Sequence, residues 1–152
     1  MCPEPGQSAR AWGVMLVAVV YLDSSVVIPL VQSTTGQKPR LGSHLSELAG
    51  DDPVHVVSDL VRLECWVKPL ADENESLLRD FEAFFALPEV TCVGLTALVC
   101  RRVASVRAKW RYRTPDALHL AAAIEAGCDR FATADKRLAS FDEIPVVVVT
   151  PR

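Results

Sequence analysis

The 152-residue chain has no C-x-x-C pair, no histidines at zinc-ligand spacing and no apolar run long enough to cross a bilayer. Its five cysteines (Cys2, Cys65, Cys92, Cys100, Cys128) are odd in number and scattered, and so are His44, His55 and His119. That excludes a disulfide scaffold and argues against a zinc centre. It suits reduced, mostly buried thiols in a cytoplasmic protein. The longest apolar stretch, Trp12 to Leu22 ("WGVMLVAVVYL"), falls short of the roughly 20 residues that a membrane helix needs. It follows Arg10 as the core of a signal peptide would, but no small-x-small cleavage site comes after it and Asp23 ends it abruptly. A buried strand explains it better, and no membrane association is expected. Internal repeats and low-complexity tracts are also missing. So is an excess of basic charge: the net charge is −3, and any affinity for nucleic acid must come from how charge is distributed.

Half of the residues are hydrophobic and 23% are charged, a balance that supports one compact domain with a sizeable core. Residues 1–14 read as a polar N-terminal extension and 15–152 as a single domain, with Met15 a candidate start close to the first strand. After "WGVMLVAVVYL", four further blocks look like strands: Val54–Val57, Thr91–Leu95, Arg130–Thr133 and Val146–Val149. Continuous β-branched runs without alternation suit strands buried on both faces. Between them lie helical patterns. "SDLVRLECWVKPL" spaces Leu60, Leu63, Val67 and Leu70 as one helix face would. "ENESLLRDFEAFFAL" does the same with Leu77, Leu78, Phe81, Phe84 and Phe85, a stripe suited to the core or to a dimer. Further helices are expected from Thr96 to Trp110 and from Pro115 to Ala126, the last closed by Gly127. The polar stretch Ser33–Asp52 reads as loops around a short helix at Leu41–Leu48. Strands alternating with helices predict an α/β fold with a central, mainly parallel sheet.

In such sheets ligands gather beyond the carboxyl ends of the strands. Four acids fall there or in the helices that follow: Asp23 after "VVYL", Glu64 in "VRLEC", Asp116 in "RTPDAL" and Asp135 in "TADKRL". Each has an ordinary explanation. Thr114, Pro115 and Asp116 make good helix-start chemistry, and Asp135 is placed to cap "KRLASF". Asp23 is placed to bond Ser25 in a turn, and Glu64 to pair with Arg62 or Lys68. Taken together they suggest more, because several carboxylates in one pocket repel one another unless a cation joins them. Oxygen donors without cysteine or histidine indicate Mg²⁺ or Mn²⁺. Such ions polarise phosphodiesters and activate water.

With those residues in view, the chain resembles the PIN-domain family, and within it toxin ribonucleases of the VapC kind. "VVYLDSSVVIPL", "SDLVRLECWVKPL" and "RTPDALHLAAAIEAGCDRFATADKRLASF" resemble the family's three motif blocks, and together they span about Val17 to Val149. The resemblance implies a three-layer α/β/α sandwich and a Mg²⁺- or Mn²⁺-dependent endoribonuclease. It also implies dimerisation and inhibition by a small cognate antitoxin. Asp23, Glu64 and Asp116 would be the core catalytic and metal-binding carboxylates and Asp135 the fourth, with Ser24 and Thr133 bonding them from behind.

RNA has a candidate path. No acid lies between Glu89 and Asp116, while Arg101, Arg102, Arg107, Lys109, Arg111 and Arg113 place six cations within thirteen positions. Trp110 and Tyr112 interleave with the last of them and offer rings for stacking. A solvated helix face, or a surface covered by an acidic antitoxin, would show the same charge run. Two other functions compete with the nuclease. One is a PIN-like module that binds RNA or protein without catalysis. The other is a phospho-accepting signalling domain, which would want an acidic pair where this chain has Leu-Asp-Ser-Ser and a lysine after the last strand.

Overall fold

The computed structural model describes residues 18–33 and 54–149. The extension, most of the Ser33–Asp52 segment and the first part of the expected opening strand lie outside them. Five strands form one sheet: β1 (Val19–Leu22), β2 (Val54–Ser58), β3 (Val90–Val93), β4 (Arg130–Thr133) and β5 (Val146–Val148). All neighbours pair in parallel, in the order β3-β2-β1-β4-β5. The expected mainly parallel sheet is therefore parallel throughout the described residues.

Among the described residues five α-helices lie between the strands: α1 (Ser24–Ser33), α2 (Asp59–Ala71), α3 (Glu75–Phe85), α4 (Ala97–Trp110) and α5 (Thr114–Glu125). A 3₁₀ turn, Lys136–Ser140, precedes β5. The chain steps one way across the sheet from β1 to β3, then returns past β1 to β4 and β5. Right-handed crossovers put connections running in opposite directions on opposite faces. The contacts agree, with α1, α2 and α3 packed on one another and α4 packed along α5. The result is a three-layer α/β/α sandwich. Strand order reverses between β1 and β4, which opens a crevice at their carboxyl ends.

Two elements depart from the sequence expectation. Helix α1 has no counterpart there, because "SSVVIPL" combines β-branched residues with a proline, both poor helix formers. Burial overrides that propensity: Val26, Val27 and Val31 all enter the core. In α2 three of the four residues of the expected apolar stripe face out, with Leu63, Val67 and Leu70 more than half exposed. Of the stripe the core takes only Leu60, joined by Val61, Cys65 and Pro69. The stripe on α3 is used internally, since Leu77, Phe81, Phe84 and Phe85 are all buried. Cysteines 65, 92, 100 and 128 are free, although only Cys65 is buried.

Candidate active site

The crevice is built from strand register. Leu22 pairs with Ala132, so the next residues, Asp23 and Thr133, lie side by side where the two strands end. Asp23 continues the ladder with its amide on the Ala132 carbonyl at 3.2 Å, and its own carbonyl accepts from the Val26 and Val27 amides to start α1. Its carboxylate is buried and bonded on both oxygens. Thr133 Oγ1 donates to Oδ2 at 2.6 Å, and the Ser25 hydroxyl donates to Oδ1. Ser25 Oγ in turn accepts from the Ala134 amide at 2.9 Å, so the loop after β4 is tied to the start of α1.

Glu64 reaches this corner from the middle of α2. Ser24 Oγ donates to its Oε2 at 3.0 Å across forty residues of sequence, and His119 Nε2 lies 2.6 Å from its Oε1. Neither Arg62 nor Lys68 pairs with it; Arg62 is near Asp59 at 3.8 Å and Lys68 bonds Asp72 at 2.8 Å. Burial pushes the Glu64 pKa up. The hydrogen bond and charge of His119, with the Ser24 hydroxyl, more than reverse this and hold it below the ordinary glutamate value. Behind His119, Nδ1 meets the Tyr21 hydroxyl at 2.8 Å, and that hydroxyl meets Ser58 Oγ at 2.8 Å.

Asp116 sits in the first turn of α5, the position where a helix dipole favours negative charge. The helix begins at Thr114, with Arg113 as the N-cap and no side-chain cap bond, so Thr114 is not the cap that its sequence suggests. Among the described residues no hydrogen bond is made to the Asp116 carboxylate. Its pKa is raised, first by burial and then by the nearby charges of Asp135 and Asp23, against the opposing influence of Arg137 and His119. Those couplings put Asp116 in the field of both acids. Asp135 is more occupied: Arg137 grips it with Nη2 at 2.6 Å from Oδ2 and Nε at 3.0 Å from Oδ1, and the Arg137 amide adds a bond of 2.9 Å. These bonds hold its pKa below the ordinary aspartate value, and they make it the cap of the 3₁₀ turn.

The donor set suits a hard divalent cation. It is all oxygen, it is partly withdrawn from water, and Asp116 carries the mutual repulsion that a cation relieves. Among the described residues no group of three or more His, Cys, Asp or Glu side chains is placed to hold a metal ion. Asp116 is the member without a hydrogen-bond partner among the described residues, while Asp23, Glu64 and Asp135 are held by their own partners. The expected bond between Ser25 and Asp23 is present, whereas sequence reasoning did not assign Tyr21, Arg137 or the His119 link to Glu64, because each depends on contacts distant in sequence or on a rotamer.

Half of the basic run is engaged. Arg102 bonds Glu125 at 2.7 Å, and Arg107 caps its helix end through the Tyr112 carbonyl at 3.1 Å. Lys109 lies over Trp110. Trp110 and Tyr112 stack on each other and pack on buried Phe141. Arg101, Arg111 and Arg113 stay exposed. A separate concavity of about 360 Å³, lined by Arg62, Trp66, Glu82, Phe85 and Ala86, contains none of the four acids.

A family model for the PIN domain matches residues 20–144, so the chain belongs to the PIN domain family. Solved structures agree with the fold. The VapBC2 complex of Rickettsia felis, bound to a DNA fragment from its promoter, superposes with a TM-score of 0.70 at 12% identity, covering 86% of this chain and 98% of that one. VapC20 of Mycobacterium tuberculosis, a toxin that cleaves the sarcin–ricin loop, gives 0.59 at 17% identity over 83% and 98%. A toxin–antitoxin complex from Klebsiella pneumoniae gives 0.59 at 20% identity over 88% and 98%. No curated protein matches the sequence. No helix among the described residues is long and apolar enough to cross a membrane.

Proposed function

We propose that the chain is a Mg²⁺- or Mn²⁺-dependent endoribonuclease that hydrolyses RNA phosphodiester bonds. We propose further that it is the toxin of a type II toxin–antitoxin pair, acting as a homodimer in the cytoplasm and restrained by a small cognate antitoxin. One observation carries this reading. Thr133 bonds Asp23 and accepts from the Asp135 amide, Ser24 next to Asp23 bonds Glu64, and Asp116 feels the charges of Asp23 and Asp135. The fold likeness to toxin–antitoxin complexes and to a sarcin–ricin-loop-cleaving toxin supports it.

In this reading Asp23 and Asp116 hold the ion, while Glu64 and Asp135 act from their hydrogen-bonded positions beside it. The ion supplies a Lewis acid for the phosphodiester. Thr133 and Ser25 fix both oxygens of Asp23, so its remaining lone pairs keep one direction. Ser24 and His119 do the same for Glu64. Arg111 and Arg113, exposed just before α5, draw a phosphate backbone toward Asp116, and Arg101 extends the strip. Arg102, Arg107 and Lys109 contribute less, because each already has a partner.

A single observation favours a binding module without catalysis: the Arg137 fork on Asp135 supplies internally part of the positive charge that a metal would bring. Cleavage of total RNA with Mg²⁺, with Mn²⁺ and with chelator, alongside Asp116→Asn, separates the two. We expect discrete fragments only with metal. The substitution is expected to reduce cleavage at least about a hundredfold, the upper end of what losing even an outer-shell partner costs, with the melting temperature unchanged. Equal behaviour of wild type and variant would leave the binding module standing.

A further inference from the structure

A line of hydrogen-bonded side chains runs from the core to Glu64. Ser58 Oγ and the Tyr21 hydroxyl are 2.8 Å apart, Tyr21 and His119 Nδ1 are 2.8 Å apart, and His119 Nε2 lies 2.6 Å from Glu64 Oε1. Ser58 and Tyr21 are fully buried and His119 nearly so. The Tyr21 ring is held in turn by parallel stacking on buried Phe131.

The direction of the protons at the Glu64 end follows from donor chemistry. An ionised carboxylate only accepts, so the contact to Glu64 requires a proton on His119 Nε2. If the imidazole is neutral, Nδ1 accepts from Tyr21, Tyr21 accepts from Ser58, and every donor in the line points toward Glu64. If it is charged, the two outer bonds reverse and Nε2 still donates. In both states Glu64 receives one donor on each oxygen, His119 on Oε1 and Ser24 on Oε2. A core histidine needs no such line to satisfy its nitrogens, and here the line ends on one of the four acids.

We infer that His119 is a positioning residue for the metal site: with Ser24 it clamps the Glu64 carboxylate in one orientation beside Asp23, and Tyr21 and Ser58 hold the ring that does so. This rests on the metal-dependent nuclease reading above. A glutamate at the middle of a helix has three rotatable bonds, and clamping both oxygens removes the freedom that would otherwise be lost when the ion binds. His119 has no role in touching RNA.

The test compares His119→Leu, His119→Gln and Tyr21→Phe in the full chain. It reads Mn²⁺ affinity by titration calorimetry, kcat and KM on the RNA cut in the assay above, and thermal melting. His119→Leu is expected to weaken Mn²⁺ binding and lower kcat by about 10–100-fold, the usual cost of losing an outer-shell partner, with KM for RNA unchanged. The glutamine variant keeps an N–H donor for Glu64 and should recover most of both. Tyr21→Phe should show a smaller loss of the same kind. A folded His119→Leu protein with wild-type Mn²⁺ affinity and kcat overturns the inference, as do equal losses in the leucine and glutamine variants that merely follow melting temperature. Should the leucine variant not fold, unchanged Mn²⁺ affinity and kcat in Tyr21→Phe overturn it. A wild type that neither binds Mn²⁺ nor cuts RNA removes the nuclease reading and this inference together. If wild type cuts and Asp116→Asn does not, while His119→Leu matches wild type, only the positioning role is lost.

Discussion

Strand β2 carries one fully buried polar side chain near each end, and the two are treated differently. Ser58, at the carboxyl end, bonds the Tyr21 hydroxyl and joins the line that reaches Glu64. His55, near the amino end, has no hydrogen-bond partner for either ring nitrogen among the described residues. Burial holds its pKa below the ordinary histidine value, against the weaker pull of Glu89. The contrast extends to the whole sheet. Asp23, Ser24, His119 and Thr133 are buried at the carboxyl end and each has a hydrogen-bond partner. Buried polar groups are costly unless bonded, and a bonded network in a low dielectric is rigid. The carboxyl end is therefore preorganised, while at the amino end His55 is buried without a partner among the described residues.

The sharpest way to break the contrast is at Thr133. Thr133→Val keeps the shape and removes the donor to Asp23 Oδ2. Losing a hydrogen bond to a charged group should cost about 1.5–3 kcal/mol in denaturant melts. Cleavage should fall about tenfold or more in the same protein. His55→Leu should act in the opposite sense. Removing two unpartnered nitrogens from a buried site is expected to gain about 1–2 kcal/mol, or roughly 2–6 °C in Tm, with cleavage unchanged. If that variant is destabilised, the ring has a partner that matters and the comparison fails. Ser58→Ala leaves Tyr21 with His119 alone and should cost about 0.5–1.5 kcal/mol, less than the Thr133 change because no charge is involved. The smallest effect is in pH. A depressed histidine pKa means that the unfolded chain binds the proton first. His55 therefore leaves stability intact above the unfolded value of about 6.5 and lowers it as pH falls toward the folded value. Melts of wild type against His55→Leu should converge in slope above that pH and diverge below it.

Much of this was legible along the chain. Asp23, Asp116 and Asp135 were identifiable because each follows a strand or opens a helix, and those junctions have strong local signals such as "YLDSS" and "TPDAL", whereas Glu64 lies in the middle of a helix. The helix start near Thr96 and the stop at Gly127 were legible for the same reason, since cap chemistry acts within a few residues. Helix α1 was not, because its local preference opposes its structure and only burial of Val26, Val27 and Val31 settles the matter. The face of α2 was misread for a related reason. Its apolar residues surround the helix, and only tertiary packing selects Val61 and Cys65 over Leu63 and Val67. Neither His119 nor Arg137 carries a motif that announces which acid it will hold.

The sequence by itself determined the alternation of strands and helices, the places where carboxylates sit on them, and the lack of cysteines or histidines at zinc-ligand spacing. These are properties of short windows, set by periodicity, capping and side-chain chemistry. Strand order was decided only in three dimensions. Because β4 returns to lie against β1, Thr133 comes beside Asp23 across 110 residues, and Ser24 meets Glu64. The tertiary structure also decided which carboxylates are clamped and which is left without a hydrogen bond. That depends on hydrogen bonds 2.5–3 Å long between residues far apart in the chain, a distance scale that only packing can set.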